Sequence, residues 1–168
     1  MPFTPLHLGA GAVFKAVAGR RMSFLVFAGT QVLMDLEPLV GILRGSAVLH
    51  GPTHTLAGAV LIGGVGAVTG KPVTNAVLRR VSPASVPVGW PAAFAGAWAG
   101  SLSHIVLDAF MHADMRPFWP LTSANPLLYR IDVDHLGLLC LLGATAGGAA
   151  VLLRRTWRRR GAARATGD

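Results

Sequence analysis

Charge is scarce in this sequence. Only 13% of its 168 residues are charged, where a soluble domain of this size carries about a quarter. Cysteine is nearly absent: Cys140 stands alone inside an apolar run, so no intrachain disulfide can form and the compartment stays undetermined. The opening stretch, MPFTPLHLGAG, lacks a basic leader and a small-residue cleavage site, so no removable signal peptide is expected. Acids are few as well, seven against fifteen basic residues. These shortages exclude an ordinary soluble domain and a disulfide scaffold.

What is present is apolar and small. Hydrophobic residues make up 52% of the chain, mean hydropathy is +0.54, and glycine occurs 21 times. Small residues let membrane helices approach closely. The composition predicts an all-α integral membrane bundle of about four to five helices. Five apolar segments carry it, at about 5–19, 22–43, 54–70, 90–112 and 134–153. A crossing takes about 20 residues, so the first and third fall short. The spacings Gly66 to Gly70, Gly96 to Gly100 and Gly143 to Gly147 suit close helix contacts. The stretch KPVTNAVLRRVSPASVPVGWP, with four prolines, reads as a loop. One membrane domain over 1–153 and a basic cytoplasmic tail over 154–168 are expected.

The net charge of +8 raises nucleic acid as a partner. The distribution argues against it. Six of the fifteen basic residues lie between Arg154 and Arg164, directly after an apolar run, which suits a tail beside anionic lipid heads. With that tail inside, Lys15, Arg20, Arg21, Lys71, Arg79 and Arg80 also fall inside. Only Arg44, Arg116 and Arg130 fall outside. The positive-inside rule then holds throughout and predicts a multi-pass protein of the bacterial inner membrane with a cytoplasmic C-terminus. The bilayer is the expected partner, and the oligomeric state is left open.

On that frame the other ionisable groups segregate. The chain has six histidines and seven acids, and all but Asp168 fall in the outer half or its loops. Asp35 comes about 20 Å above Met22, and His104 about 21 Å above Trp90, at helical rise. In SHIVLDAFMH, residues 103–112, His104, Asp108 and His112 recur at steps of four and so share one helix face. Lipid rejects such groups, so the face must turn inward or to water. HGPTH adds His50 and His54, with Pro52 suited to a helix start and His54 just inside it. MDLEP adds Asp35 and Glu37, with Pro38 ending or bending the second helix there. Asp114 and His135 read as local polar packing.

Imidazole with carboxylate is a ligand set for a divalent metal, zinc first, with manganese or iron as alternatives. Such an ion also neutralises crowded acids. The expected reaction is metal-assisted hydrolysis at the outer face, with His7, His54, His104 and Asp108 as ligands, Asp35 bridging or completing the shell, and His50 and His112 as further candidate ligands. Asp35 or Glu37 would take the proton of the attacking water. Headgroup depth points to a lipid or phosphoester substrate, and Arg116 suits a phosphate. Phe118 and Trp119 suit the membrane interface. Other classes stay open: a haem carrier using His54 and His104, a metal or proton transporter, and a metal-binding protein without hydrolytic activity.

The elements TPLHL, DLEP, HGPTHT, SHIVLDAFMH and RPFWPLTSANP, taken in order, are similar to those of bacterial membrane-bound, metal-dependent hydrolases, the YdjM-like group. The resemblance runs from Met1 to about His135. It implies a helical membrane protein with a zinc-type hydrolytic site, and it implies His7, Asp35, His50, His54, His104 and Asp108 as metal residues. The family often has P-D-x-D where this chain has Met34, Asp35 and Glu37. It often has H-R-G-x-T-H where His50 and His54 stand one residue closer. The helical His and Asp pattern is more distantly similar to zinc phospholipase C.

Overall fold

A computed structural model describes residues 4–166; Asp168 lies outside them. All regular structure is helical. Helix α1 covers Thr4–Ala18, α2 Phe24–Met34, α3 Leu36–Leu43, α4 Leu56–Val81, α5 Trp90–Met111 and α6 Val133–Thr166. Single 3-10 turns precede α2 (Gly19–Arg21) and α4 (Pro52–His54). The helices α2 and α3 are one apolar segment bent at Asp35, which leaves five helical bodies.

Local chemistry sets the boundaries. Ser23 caps α2, its Oγ accepting from the Val26 N–H at 3.3 Å, and Thr55 caps α4, accepting from the Gly58 N–H at 3.0 Å. Pro38 has no N–H to give to the Met34 carbonyl, so the helix breaks one turn before it. The break leaves Asp35 between two helices and Glu37 in the first turn of α3.

Three bodies are long and apolar enough to cross a membrane: Phe24–Leu43, Leu56–Val81 and Val133–Arg158. Their large apolar side chains point outward. Leu61, Val68, Leu138, Leu141 and Leu152 are all more than half exposed, which a water-facing surface rarely tolerates and lipid accepts. Helix α1, at 15 residues, is short. Helix α5 has the length, 22 residues, but spends its inner face on small and polar groups. Its buried residues are Ala93, Gly96, Ala97, Gly100, Ser101, His104, Ile105, Asp108 and Ala109. They recur at steps of three and one, so they form a single stripe. The stripe is small at the N-terminal end and ionisable at the C-terminal end.

Small residues join the bodies. A Cβ on Gly100 would stand 2.9 Å from the Phe27 carbonyl oxygen, and one on Gly96 would overlap the Ser23 carbonyl. Gly66 faces Thr30 and Gly70 faces Val26, closing α4 onto α2, while Gly143 and Gly147 seat α6 against α1. All three G-x-x-x-G spacings thus lie at helix contacts. The contact order makes α2 and α5 parallel, α1 and α6 parallel, and α4 antiparallel to α2 and α5.

Three sequence expectations change. Lys71 to Val81 is helix and not loop: α4 runs through Pro72, and only residues 82–89 connect it to α5. A membrane helix tolerates an internal proline because neighbouring groups take up the freed carbonyl, so proline counting misplaced the boundary. His54 lies in the 3-10 turn before α4 and not inside an α-helix. His112 caps the C-terminus of α5 with extended backbone, so the ladder of three on one helix has its last rung just past the helix end.

Candidate metal centre

The ionisable end of the α5 stripe meets the start of α1, the α2–α3 break and the turn before α4. Asp108 is the centre. Its Oδ1 lies 3.5 Å from His7 Nε2 and 3.8 Å from His112 Nε2. Its Oδ2 lies 3.1 Å from His104 Nε2 and 3.7 Å from His54 Nε2. Asp35 Oδ1 stands 3.4 Å from His104 Nε2. His7, His54, His104 and Asp108 are buried.

These atoms converge on one point. Nε2 of His7, His54 and His104 are buried and have no aligned hydrogen-bond partner among the described residues. Leaving such groups unmet costs about 1–3 kcal/mol each, so three together at one point mark a place where a further partner belongs. The spacing fits a metal ion. With metal–nitrogen bonds of about 2.0–2.1 Å, tetrahedral ligand atoms stand about 3.4 Å apart, and the separations around Asp108 run from 3.1 to 3.8 Å. Two triads have ligand atoms within 4.8 Å of one another: His7, His104 and Asp108, and His50, Asp108 and His112.

The far nitrogens of three of these histidines are held, while that of His7 is buried without a hydrogen-bond partner among the described residues. His104 Nδ1 lies 2.5 Å from Gln31 Oε1, His54 Nδ1 lies 3.2 Å from Glu37 Oε2, and His50 Nδ1 lies 2.8 Å from Asp114 Oδ1. An acceptor at Nδ1 fixes that proton there and leaves the Nε2 lone pair free for a cation. This is the usual outer support of metal-ligating histidine.

Glu37 does more than hold one ring. Its Oε2 also accepts from the N–H of Gly51 at 3.1 Å and of Thr53 at 3.2 Å, and from the Thr53 hydroxyl. The carboxylate clamps the whole turn carrying His54. Asp114 does the same for His50, accepting from the N–H of Leu49 at 2.8 Å and of His50 at 3.1 Å. Burial opposes the Asp114 charge, but these donors and the His50 ring outweigh it and hold the carboxyl below the usual carboxylate range.

Beside His50 a cavity of about 200 Å³ opens, lined also by Thr55, Asp114, Arg116 and Trp119. Arg116, Phe118 and Trp119 are exposed around it.

Every one of His7, Asp35, His50, His54, His104, Asp108 and His112 thus lies at one end of the bundle, and Glu37 stands one residue layer behind His54. Asp132, Asp134 and His135 do not join them. Asp132 and His135 pair with each other on the exposed start of α6. Sequence reasoning missed Gln31. Its signal was an amide in the second apolar run, four residues before Asp35 and so on the same helix face.

The chain matches no curated protein and no solved structure. The family model described as YdjM inner membrane protein matches residues 6–166, nearly the whole length, and the chain therefore belongs to the YdjM inner membrane protein family.

Proposed function

We propose that this protein is a membrane-bound, metal-dependent hydrolase of phosphoesters, lipid-borne ones included. The observation that carries the reading is the convergence of three buried, unpartnered imidazole nitrogens on one carboxylate, next to a cavity edged by a guanidinium. His7, His54, His104 and Asp108 would hold the ion, with His50, His112 and Asp35 adjoining. When bound, a divalent ion supplies Lewis acidity and lowers the pKa of water toward about 7. Zinc suits the imidazole-rich set, and manganese or iron would also be accepted.

The chain's own groups do the rest. Asp35 is partly exposed and sits within 3.4 Å of a ligand nitrogen, so it is placed to take a proton from the attacking water. Glu37 is spent on the His54 turn and acts as a positioning residue. Arg116 binds the phosphate oxygens in the cavity. Trp119 sets the cavity at headgroup depth. The basic tail lies in the cytoplasm and the site faces the other side, on the distribution of the fifteen basic residues.

The test is detergent-purified full-length protein, loaded with zinc or manganese, on an aryl phosphodiester and on phospholipid in mixed micelles. Wild type is expected to carry stoichiometric metal and release product. Asp108→Ala and His104→Ala are expected to lose both. Wild type without metal, or metal-loaded wild type inactive on every phosphoester, overturns the reading.

A further inference from the structure

We infer that the centre is binuclear: two divalent ions share Asp108, one held deep by His7, His54 and His104 and one nearer the cavity by His50 and His112. The inference rests on the metal-dependent reading above and adds the number and division of the ions.

The donor count favours a division. Five histidines and two aspartates surround this point, more donors than a single zinc ion accepts, which is about four. Asp108 presents its two oxygens to different imidazoles. Oδ2 faces His104 and His54, and Oδ1 faces His7 and His112. The two ligand triads overlap only at Asp108. Oδ1 is thus shared between His7 of the deep set and His112 of the other, and the division follows the two triads, with Asp108 common to both.

Burial then gives the halves different tasks. The His7 and His104 side is sealed, with both side chains at most 3% exposed. The His112 side chain is 20% exposed, its ring stacks on His50 at 4.1 Å, and His50 lines the cavity. The second position is the one beside the cavity, where a phosphate would be held. The His50 ring is fixed by Asp114, which holds its Nδ1 at 2.8 Å. In two-metal sites such a pair clamps the attacking and leaving oxygens of one displacement.

Ion counting and magnetic coupling test this without any activity. Full-length protein in detergent is loaded with manganese, freed of excess ion, and its metal measured by elemental analysis. Wild type is expected to hold about two ions per chain and to give an exchange-coupled spin pair. His112→Ala and His112→Gln should each hold about one, with the uncoupled signal of an isolated ion. His112 is at a helix end and partly exposed, so both variants should keep the wild-type elution volume and helicity. The wild-type spectrum needs no variant at all. A single uncoupled ion in wild type overturns the binuclear centre and leaves the hydrolase reading standing. Two coupled ions retained in both His112 variants remove His112 from the second position and overturn the division. No ion in wild type overturns both readings.

Discussion

Gln31→Leu separates a metal-supporting role from mere packing. Gln31 is fully buried, and its Oε1 lies 2.5 Å from His104 Nδ1. Its Nε2 donates to Ser103 Oγ at 3.4 Å, a long contact that counts for little. Leucine fills nearly the same volume, so the change deletes the acceptor without opening a large cavity. The His104 Nδ1–H is then buried with nothing to accept it, at a cost of about 1–3 kcal/mol. The ring escapes by moving its proton to Nε2 or by turning, and either withdraws the lone pair from the ion. Loss of such an outer partner costs about 10–100-fold in metal affinity, or about 1.4–2.7 kcal/mol. Both penalties have one source, the unmet N–H of His104. A competitive titration against a chelator of known affinity, in detergent at fixed pH, reads the shift. Gln31→Glu keeps an acceptor at the same reach and should recover most of the affinity. Wild-type affinity in Gln31→Leu would refute the reasoning.

Three further outcomes follow from named contacts. Glu37→Ala removes the acceptor of the Gly51, Thr53 and His54 bonds together and should weaken metal binding by about 10–100-fold; Asp132→Asn, on the exposed start of α6, should leave the same titration unchanged. Gly100→Ala drives a methyl to 2.9 Å from the Phe27 carbonyl oxygen and should destabilise by about 1–3 kcal/mol, whereas Gly64→Ala, with open space around it, should be neutral or stabilising by up to about 1 kcal/mol; thermal unfolding in detergent compares them. Stripping the metal with a chelator should lower the melting temperature by on the order of 5–10 °C relative to protein at 100 times the dissociation constant, which corresponds to about 2.7 kcal/mol, and re-addition of zinc should restore it.

Much of this architecture is legible in the residues because lipid makes composition informative. Outward-facing apolar side chains and inward small ones leave a continuous signal, so the all-α bundle and its glycine contacts could be read directly. Depth in the membrane is informative for a physical reason: groups that lipid rejects must cluster, and His7, Asp35, His54, His104 and Asp108 lie within reach of one another. Boundaries were harder. Pro72 and the paired arginines after it look like loop, but the backbone cost of a proline falls when the rest of α4 is held on both flanks. The supporting shell was least visible. Glutamine at 31 and aspartate at 114 acquire their roles only through contacts 73 and 64 residues away in sequence, and no local pattern announces such pairs.

The same geometry weighs the competing classes. A haem iron needs its two axial imidazoles on opposite faces of a flat ring. Here the Nε2 atoms of His54 and His104 both point at Asp108 Oδ2, and their ring centroids are 5.4 Å apart and tilted by 58°. They surround a point and do not flank a plane. A transporter needs a second set of polar groups to receive the ion on the far side. Toward that side, the buried stripe of α5 is Ala93, Gly96, Ala97 and Gly100, and the facing residues of α2 and α4 include Val26, Phe27 and Ala67. An ion leaving the cluster inward would meet the hydroxyls of Ser101 and Thr30 and then close-packed small and apolar side chains, with no buried imidazole or carboxylate beyond them among the described residues. A bound ion would therefore stay at the end where the cavity, the guanidinium and the partly exposed carboxylate are. An ion held at a fixed place beside an open, cation-edged cavity is positioned to act on a molecule that arrives there. That asymmetry, ligands at one end and sealed packing at the other, favours chemistry over transport.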